Sequence, residues 1–309
     1  MSIDLIARAD ELRRARVPFV LATVVRAERP TSARPGDRAV VRRDGTVEGF
    51  VGGACALATL RAQSAQLLHT GGSTLLRITP AGGDDAPAAA AAATAGVVVV
   101  DNPCLSGGTL EILLEAVMPA TLVHVSGDTP IARALVEVGT AAGYDVRATA
   151  DPAAPVPGDA AAVVVASHGH HEPQVLRAAL AAGTPYLALV ASPKRGAAVL
   201  AELALPADEA DRISTPAGLD IGARGPGEIA VSILAELISR RQAAPVPAGS
   251  APATATDPVC GMTVAVSPAT VSLRHDGRTW YFCAPGCREA FAADPSRYAS
   301  AAPERGGGP

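Results

Sequence analysis

The chain has 309 residues, enough for two or three domains, each with its own core. A formal net charge of −4 removes any electrostatic reason to expect a nucleic-acid partner. Aromatic residues make up only 3%, so the larger cores must be built from Ala, Val, Leu and Ile.

Near the start, Ile3, Leu5, Ile6, Ala9, Leu12 and Ala15 recur at helical spacing and predict an amphipathic helix stopped by Pro18. Residues 19–25 form a β-branched run, read as a buried strand, and the Pro/Gly/Arg-rich stretch 26–37 reads as loop. Residues 39–43 and 47–51 flank Asp44-Gly45, the signal of a hairpin with a two-residue turn. Gly52-Gly53 leads into a helix over 54–68, followed by strands over 74–79 and 109–115 with a loose segment between them. The most apolar run, residues 86–100, is mostly alanine and shorter than the ~20 residues of a membrane span. The acidic start carries no basic-then-apolar leader, and five cysteines are few for a disulfide scaffold of this length. Both point to reduced thiols in the cytoplasm.

From residue 121 strands and helices alternate: strands over 121–125, 145–150, 160–166 and 186–190, helices over 130–142, 173–182, 194–203 and 227–241. That alternation predicts a doubly wound α/β domain with a parallel sheet. Residues 243–256 are Ala, Pro, Gly, Ser and Thr apart from one Val, a composition that cannot bury a core and reads as a linker. The expected order is an N-terminal α+β domain (1–119), a Rossmann-like domain (120–242), the linker, a small cysteine module (257–300) and a disordered tail (301–309).

Three signals carry chemistry. After the 121–125 strand, Ser126-Gly127-Asp128-Thr129-Pro130-Ile131-Ala132 is a degraded dinucleotide loop, with Thr129 where close backbone approach to a pyrophosphate wants glycine. Asp151 follows at the distance of a ribose-binding acid. Secondly, in a doubly wound sheet ligands gather beyond the carboxyl ends of the strands. Here those ends carry Asp151, the run Ser167-His168-Gly169-His170-His171-Glu172, and Ser192-Pro193-Lys194-Arg195, which are expected to face one crevice. Lys194 and Arg195 could meet a phosphate, and His168, His170 and Glu172 could ligate a metal. The loop over 215–226 opens a helix whose free N–H groups suit an anion. Thirdly, Cys260, Cys283 and Cys287 suit a soft or borderline ion such as zinc or copper, with His275 the only local candidate for a fourth ligand. The bland alternative is three small buried hydrophobes in an aromatic mini-core.

Two resemblances add to this reading. Asp257-Pro258-Val259-Cys260-Gly261-Met262, with Tyr281-Phe282-Cys283 and Cys287, resembles a YHS domain, which implies a metal-binding module of the kind also appended to heavy-metal transporters. Residues 1–242 resemble the XdhC/CoxI family, accessory proteins of xanthine and carbon monoxide dehydrogenases. The resemblance rests on Ala22-Thr23-Val24-Val25, Ser32-Ala33-Arg34-Pro35-Gly36, Gly52-Gly53-Ala54-Cys55, Gly218-Leu219-Asp220-Ile221-Gly222-Ala223 and Pro226-Gly227-Glu228-Ile229-Ala230-Val231-Ser232-Ile233. Both family cysteines are present, but Cys55 is moved by one residue relative to the glycines and Cys104 stands three residues before Gly107-Gly108.

The resemblance implies a chaperone more than a catalyst, binding molybdenum cofactor, protecting it, assisting its sulfuration and delivering it to a molybdenum hydroxylase apoenzyme. A cysteine desulfurase and a homodimer would fit the same role. The candidate cofactor-binding set is Arg34, Gly52, Gly53, Cys55 and Cys104 in the first domain, and Gly127, Asp151, His168, Ser192, Lys194, Arg195 and Asp220 in the second. Two alternatives stand beside it: an NAD(P)-dependent oxidoreductase, and a metal-binding or redox sensor acting through the cysteine module.

Overall fold

A computed structural model describes residues 4–80, 96–102, 108–243 and 252–299. It divides into two compact units, residues 1–119 together with 248–309, and residues 120–247. Cys104 and the tail 301–309 lie outside the described residues.

The first unit is built on a six-stranded sheet of order β3-β2-β1-β6-β4-β5, made of β1 (Phe19–Ala27), β2 (Arg38–Arg42), β3 (Val47–Gly49), β4 (Ser73–Pro80), β5 (Val97–Asn102) and β6 (Leu110–Val117). Every pairing is antiparallel except β4 with β5. Because side chains alternate along a strand, β1 serves two cores. Phe19 and Leu21 face helix α1 (Leu5–Arg14) with Ala9 and Leu12, while Val20, Ala22 and Val24 face helix α2 (Ala54–Thr70) with Ala56, Leu60 and Leu67. Strand β5 was expected as loose segment, since its four valines follow an alanine run that gives no alternation. The hairpin turn is also one residue longer than expected. Gly45 N–H returns to Arg42 C=O at 2.9 Å and Gly45 takes φ +82°, giving a three-residue loop with glycine in the left-handed position.

The second unit is a five-stranded, all-parallel sheet of order β11-β10-β9-β7-β8. Its strands are β7 (Leu122–Ser126), β8 (Asp145–Thr149), β9 (Ala160–Val165), β10 (Tyr186–Leu189) and the short β11 (Ile213–Ser214), which the sequence reading did not contain. Helices α3 (Pro130–Ala141) and α7 (Pro226–Ala243) cover one face through Leu135, Ala230, Ile233 and Leu237. Helices α4 (Glu172–Ala181) and α5 (Pro193–Leu203) cover the other through Val175, Leu176, Val199 and Leu203. A one-turn helix, α6 (Ala207–Ala210), precedes β11. This is a doubly wound α/β sheet, and its valine- and alanine-rich strands are buried on both faces as such sheets require.

The chain then returns to the first unit. Strands β12 (Thr254–Thr256), β13 (Thr263–Ala265), β14 (Val271–His275) and β15 (Arg278–Phe282) form two hairpins, followed by helices α8 (Pro285–Ala293) and α9 (Pro295–Ala299). Phe291 and Phe282, both at most 1% exposed, and Trp280 make an aromatic core at centroid distances of 5.0 and 5.4 Å. Two expectations need correction. Residues 254–256 were assigned to the linker but pair with β13, because Thr-Ala-Thr can form a strand once a partner is present. The cysteine module is also not free-standing: Met262 and Val264 pack with Ala58 of α2.

Candidate functional sites

The cysteine module holds a four-residue cluster. Cys260 follows β12 in a tight turn, Cys283 directly follows β15 and Cys287 lies in the first turn of α8. Cys260 Sγ and Cys287 Sγ each lie 3.6 Å from Cys283 Sγ. Asp257, fully buried, completes the group, and one ligand atom from each residue lies within 4.8 Å of all the others. Among the described residues this is the one such group of metal-ligating side chains.

Asp257 also assembles the cluster: Oδ1 accepts from Val259 N–H at 2.9 Å and Oδ2 from Cys283 N–H at 2.8 Å, tying the Cys260 turn to the end of β15. The fourth residue expected there, His275, is elsewhere, beside Asp276 and edge-on to Phe291. The sequence signal for Asp257 was its place in the Asp-Pro-Val-Cys turn, but an acid before a proline reads first as a turn former.

The electrostatics of the cluster follow from this crowding. The Cys260 thiol is held below its ordinary value by its contact with Cys283, whereas Cys283 is driven far up by that same contact, by burial and by Asp257. Burial first, then the Asp257 charge, pushes the Cys287 thiol up to about 12. Three thiols and a carboxylate this close cannot all ionise without a cation among them. A soft cation would supply that charge, so the donor set fits one.

The second site is a crevice of about 650 Å³ at the carboxyl end of the parallel sheet. It brings together His168, after β9, with Ser192 and Arg195 at the start of α5 and Asp220 in the loop before α7. Val190, Pro216, Leu219 and Ile229 give it apolar walls. Arg195 is held by Glu172, whose carboxylate is 1% exposed, accepts a short hydrogen bond from Arg195 Nη2 and takes Gly169 N–H at 2.8 Å. Glu172 is thus committed to this pair, which removes it from the His168–His170 metal set considered from sequence. Gly169 is needed there: it takes φ +99°, and a Cβ would lie 2.8 Å from the Arg195 guanidinium. Arg195 Nε and Thr215 Oγ1 are buried without a hydrogen-bond partner in the protein.

The loop that closes the crevice is anchored from below. Glu236 on α7 accepts from Tyr186 Oη at 2.8 Å, Ser214 Oγ at 2.5 Å and Gly218 N–H at 2.8 Å. Burial alone would raise its carboxyl, but these bonds and Arg240 hold it below the ordinary value of 4.5. Burial, followed by the neighbouring Glu236 charge, pushes the Tyr186 hydroxyl far up, so it stays protonated and donates. Sequence reasoning missed Tyr186 and Glu236 because each lies inside a regular element, 50 residues apart.

The remaining expected residues are dispersed. Asp151 does not line the crevice, since β8 is at the far edge of the sheet with β7 between it and β9. Its Oδ1 serves Ala153 N–H in a local turn at 2.9 Å. Gly127 lines a smaller hollow of about 320 Å³ beside β8, where Thr129 Oγ1 accepts from Ala132 N–H at 3.2 Å. The helix end a pyrophosphate would use is therefore capped by the protein itself. Lys194 is exposed and outside the crevice lining.

In the first unit, Arg34 is exposed in a turn closed by Asp37, and Gly53 begins α2 without a capping side chain. Gly52 is buried, and its φ of +141° with Ala56 3.1 Å from an added Cβ leaves little room for a side chain. Cys55 is disulfide-bonded and offers no free thiol, which departs from the expectation of reduced cysteines throughout.

Three family models match parts of the chain. The model of the XdhC and CoxI family matches residues 12–79, that of the XdhC Rossmann domain matches residues 123–237, and that of the YHS domain matches residues 255–302. The chain belongs to the XdhC and CoxI family. Its YHS part is similar to a copper-transporting P-type ATPase of Rhizobium leguminosarum bv. viciae, 46% identical over 52 residues. That stretch is 17% of this chain and only 6% of the ATPase. A solved structure described as a xanthine dehydrogenase of Bacillus halodurans covers 79% of this chain and 97% of its own at 17% identity and a TM-score of 0.38, a likeness too distant to bear on function. Among the described residues no helix is long and apolar enough to cross a membrane.

Proposed function

We propose that this XdhC/CoxI-family chain is an accessory protein that holds molybdenum cofactor for a xanthine or carbon monoxide dehydrogenase-type hydroxylase, with the crevice of its Rossmann domain as the holding site. Family membership supports the accessory role. The observation that carries the assignment is the crevice of about 650 Å³ lined by Arg195 and the start of α5 together with apolar side chains. The cofactor, a pterin dithiolene bearing a phosphate and carrying molybdenum, would bring the metal and sulfur chemistry.

The residues present fit such a group. Arg195, fixed by Glu172, provides a cation whose Nε still lacks a partner. Ser192 caps α5 and orients its first turn. The Gly218–Ala223 side of the crevice, steadied by Glu236, supplies backbone groups and the apolar contact of Leu219 and Ile221, which would exclude water from an oxygen- and water-labile ligand. His168 and Asp220 line the same space and would meet polar edges of the ring system. In this reading the YHS cluster holds a soft cation, copper(I) or zinc, through Cys260, Cys283 and Cys287 with Asp257 as ligand or brace.

The test is anaerobic incubation of the purified chain with free molybdenum cofactor, then gel filtration and addition to apo-dehydrogenase. Co-elution of the cofactor and faster activation of the apoenzyme are expected; neither occurring would end the proposal. Help with sulfuration is proposed on the resemblance alone, and its check is whether a cysteine desulfurase transfers labelled sulfur to cofactor held by this chain.

A further inference from the structure

We infer that the thiol site of the YHS domain is not self-sufficient: helix α2 of the N-terminal domain closes it, and cation binding is linked to docking of the domain on α2. This rests on reading the four-residue cluster as a cation site.

Ala58 of α2 is 4% exposed, and the buried residues grouped with it, Met262, Val264 and Cys283, all belong to the YHS domain. Cys260 and Cys287 pack on the same group, so the apolar surround of all three thiols is made by two domains. A second contact fixes the approach. A Cβ at Gly45, at the tip of the β2–β3 hairpin, would lie 2.4 Å from Ser267 Oγ and 3.3 Å from Ala269 Cβ. That tip is tied to α2, because Arg61 Nε donates to Gly45 C=O at 2.9 Å. Small side chains at positions 45 and 58 are what let the two domains approach this closely.

The coupling follows from where the ligands sit. A cation bound to Cys260, Cys283 and Cys287 joins the turn before β13, the end of β15 and the first turn of α8. The Cys260 turn runs directly into Met262 and into β13 with Val264, so the cation orders the face that Ala58 meets. In the other direction, α2 shields the thiols from water and from competing ligands. Linkage makes the effect reciprocal: whatever docking does for the cation, the cation does for docking.

The experiment uses the full chain, reduced where free and loaded anaerobically with one equivalent of zinc, challenged with a chromophoric chelator. Ala58→Glu, which forces a carboxylate into the contact, is expected to weaken zinc affinity, read at equilibrium with the chelator, by roughly 5–150-fold, the range of ordinary coupling energies. Ala58→Ser keeps the small side chain and is expected to stay near the parent. Hydrogen exchange guards against a merely misfolded variant: in the parent, zinc is expected to slow exchange of the α2 amides around Ala58. Parental zinc affinity in Ala58→Glu, or α2 exchange indifferent to zinc in the parent, overturns the inference while leaving the cation site standing. A parent chain that retains no zinc overturns both.

Discussion

The two candidate sites of this chain are made in opposite ways. The YHS cluster comes from two short segments of one small domain, Asp257 with Cys260 and Cys283 with Cys287, gathered within 4.8 Å by one buried carboxylate. The crevice of the Rossmann domain comes from topology: strands adjacent in space but distant in sequence leave their carboxyl ends side by side, and loops wall the gap. The first site is a tight, buried set of thiols and a carboxylate; the second is roomy and carries an arginine held by a buried carboxylate. One suits a small soft ion, the other an anionic ring-bearing ligand. If that contrast is sound, the two sites should fail independently, and each should fail through its brace as well as through its contact residues.

The largest effect is expected at Asp257. Asp257→Ala removes a candidate ligand and leaves Val259 N–H and Cys283 N–H without an acceptor, each costing about 1–3 kcal/mol when buried. Cation affinity is expected to fall by roughly 10–100-fold or more, read by chelator competition, with the single Trp280 reporting unfolding of the domain by fluorescence. Retention of cofactor by the crevice is expected to be unchanged.

Arg195→Ala comes next. It leaves the Glu172 carboxylate buried without its cation, a loss of about 3–5 kcal/mol for fully buried pairs, lessened here because the Arg195 side chain is 39% exposed. Adding Glu172→Gln to Arg195→Ala should recover stability in a thermal melt but not cofactor binding, which separates the brace from the contact.

Glu236→Gln tests the loop anchor. A weakened network of charge-assisted bonds predicts a loss of about 1.5–3 kcal/mol, with faster hydrogen exchange in residues 215–225. The pH dependence has a definite sign. Because the folded Glu236 carboxyl lies below its ordinary value of 4.5, its contribution is fully present above 4.5 and is lost as pH falls through the folded value. The glutamine variant should lack that segment of the acid-stability curve. Lys194→Ala, by contrast, should change stability by less than about 0.5 kcal/mol and leave cofactor retention intact, since Lys194 stands outside the crevice.

The same contrast explains what the sequence disclosed. The alternation of valine-rich strands with helices after residue 121 announced the parallel sheet, and the strand-end rule put His168, Ser192 and Arg195 in one crevice, where the fold has them. It failed for Asp151, because the order of strands across a sheet is a tertiary property that no local pattern carries. The cysteines were legible as a group, but Asp257 was masked by its role as a turn residue. Glu172 was read as a metal ligand and Glu236 not at all: the role of each emerges only when the fold buries it against Arg195 or Tyr186. The docking of the YHS domain on α2 was hidden by a compositional linker that said where a boundary lay and nothing about what lay across it.

The central claim, that the crevice holds the cofactor, is tested most directly by filling it. Ala223 lines the crevice from a surface loop, so Ala223→Trp can occupy the space with little change to the sheet. Anaerobic gel filtration with free molybdenum cofactor should show co-elution with the parent chain and with Asp257→Ala, and none with Ala223→Trp. Undiminished co-elution with Ala223→Trp would contradict the account and move the cofactor elsewhere on the chain.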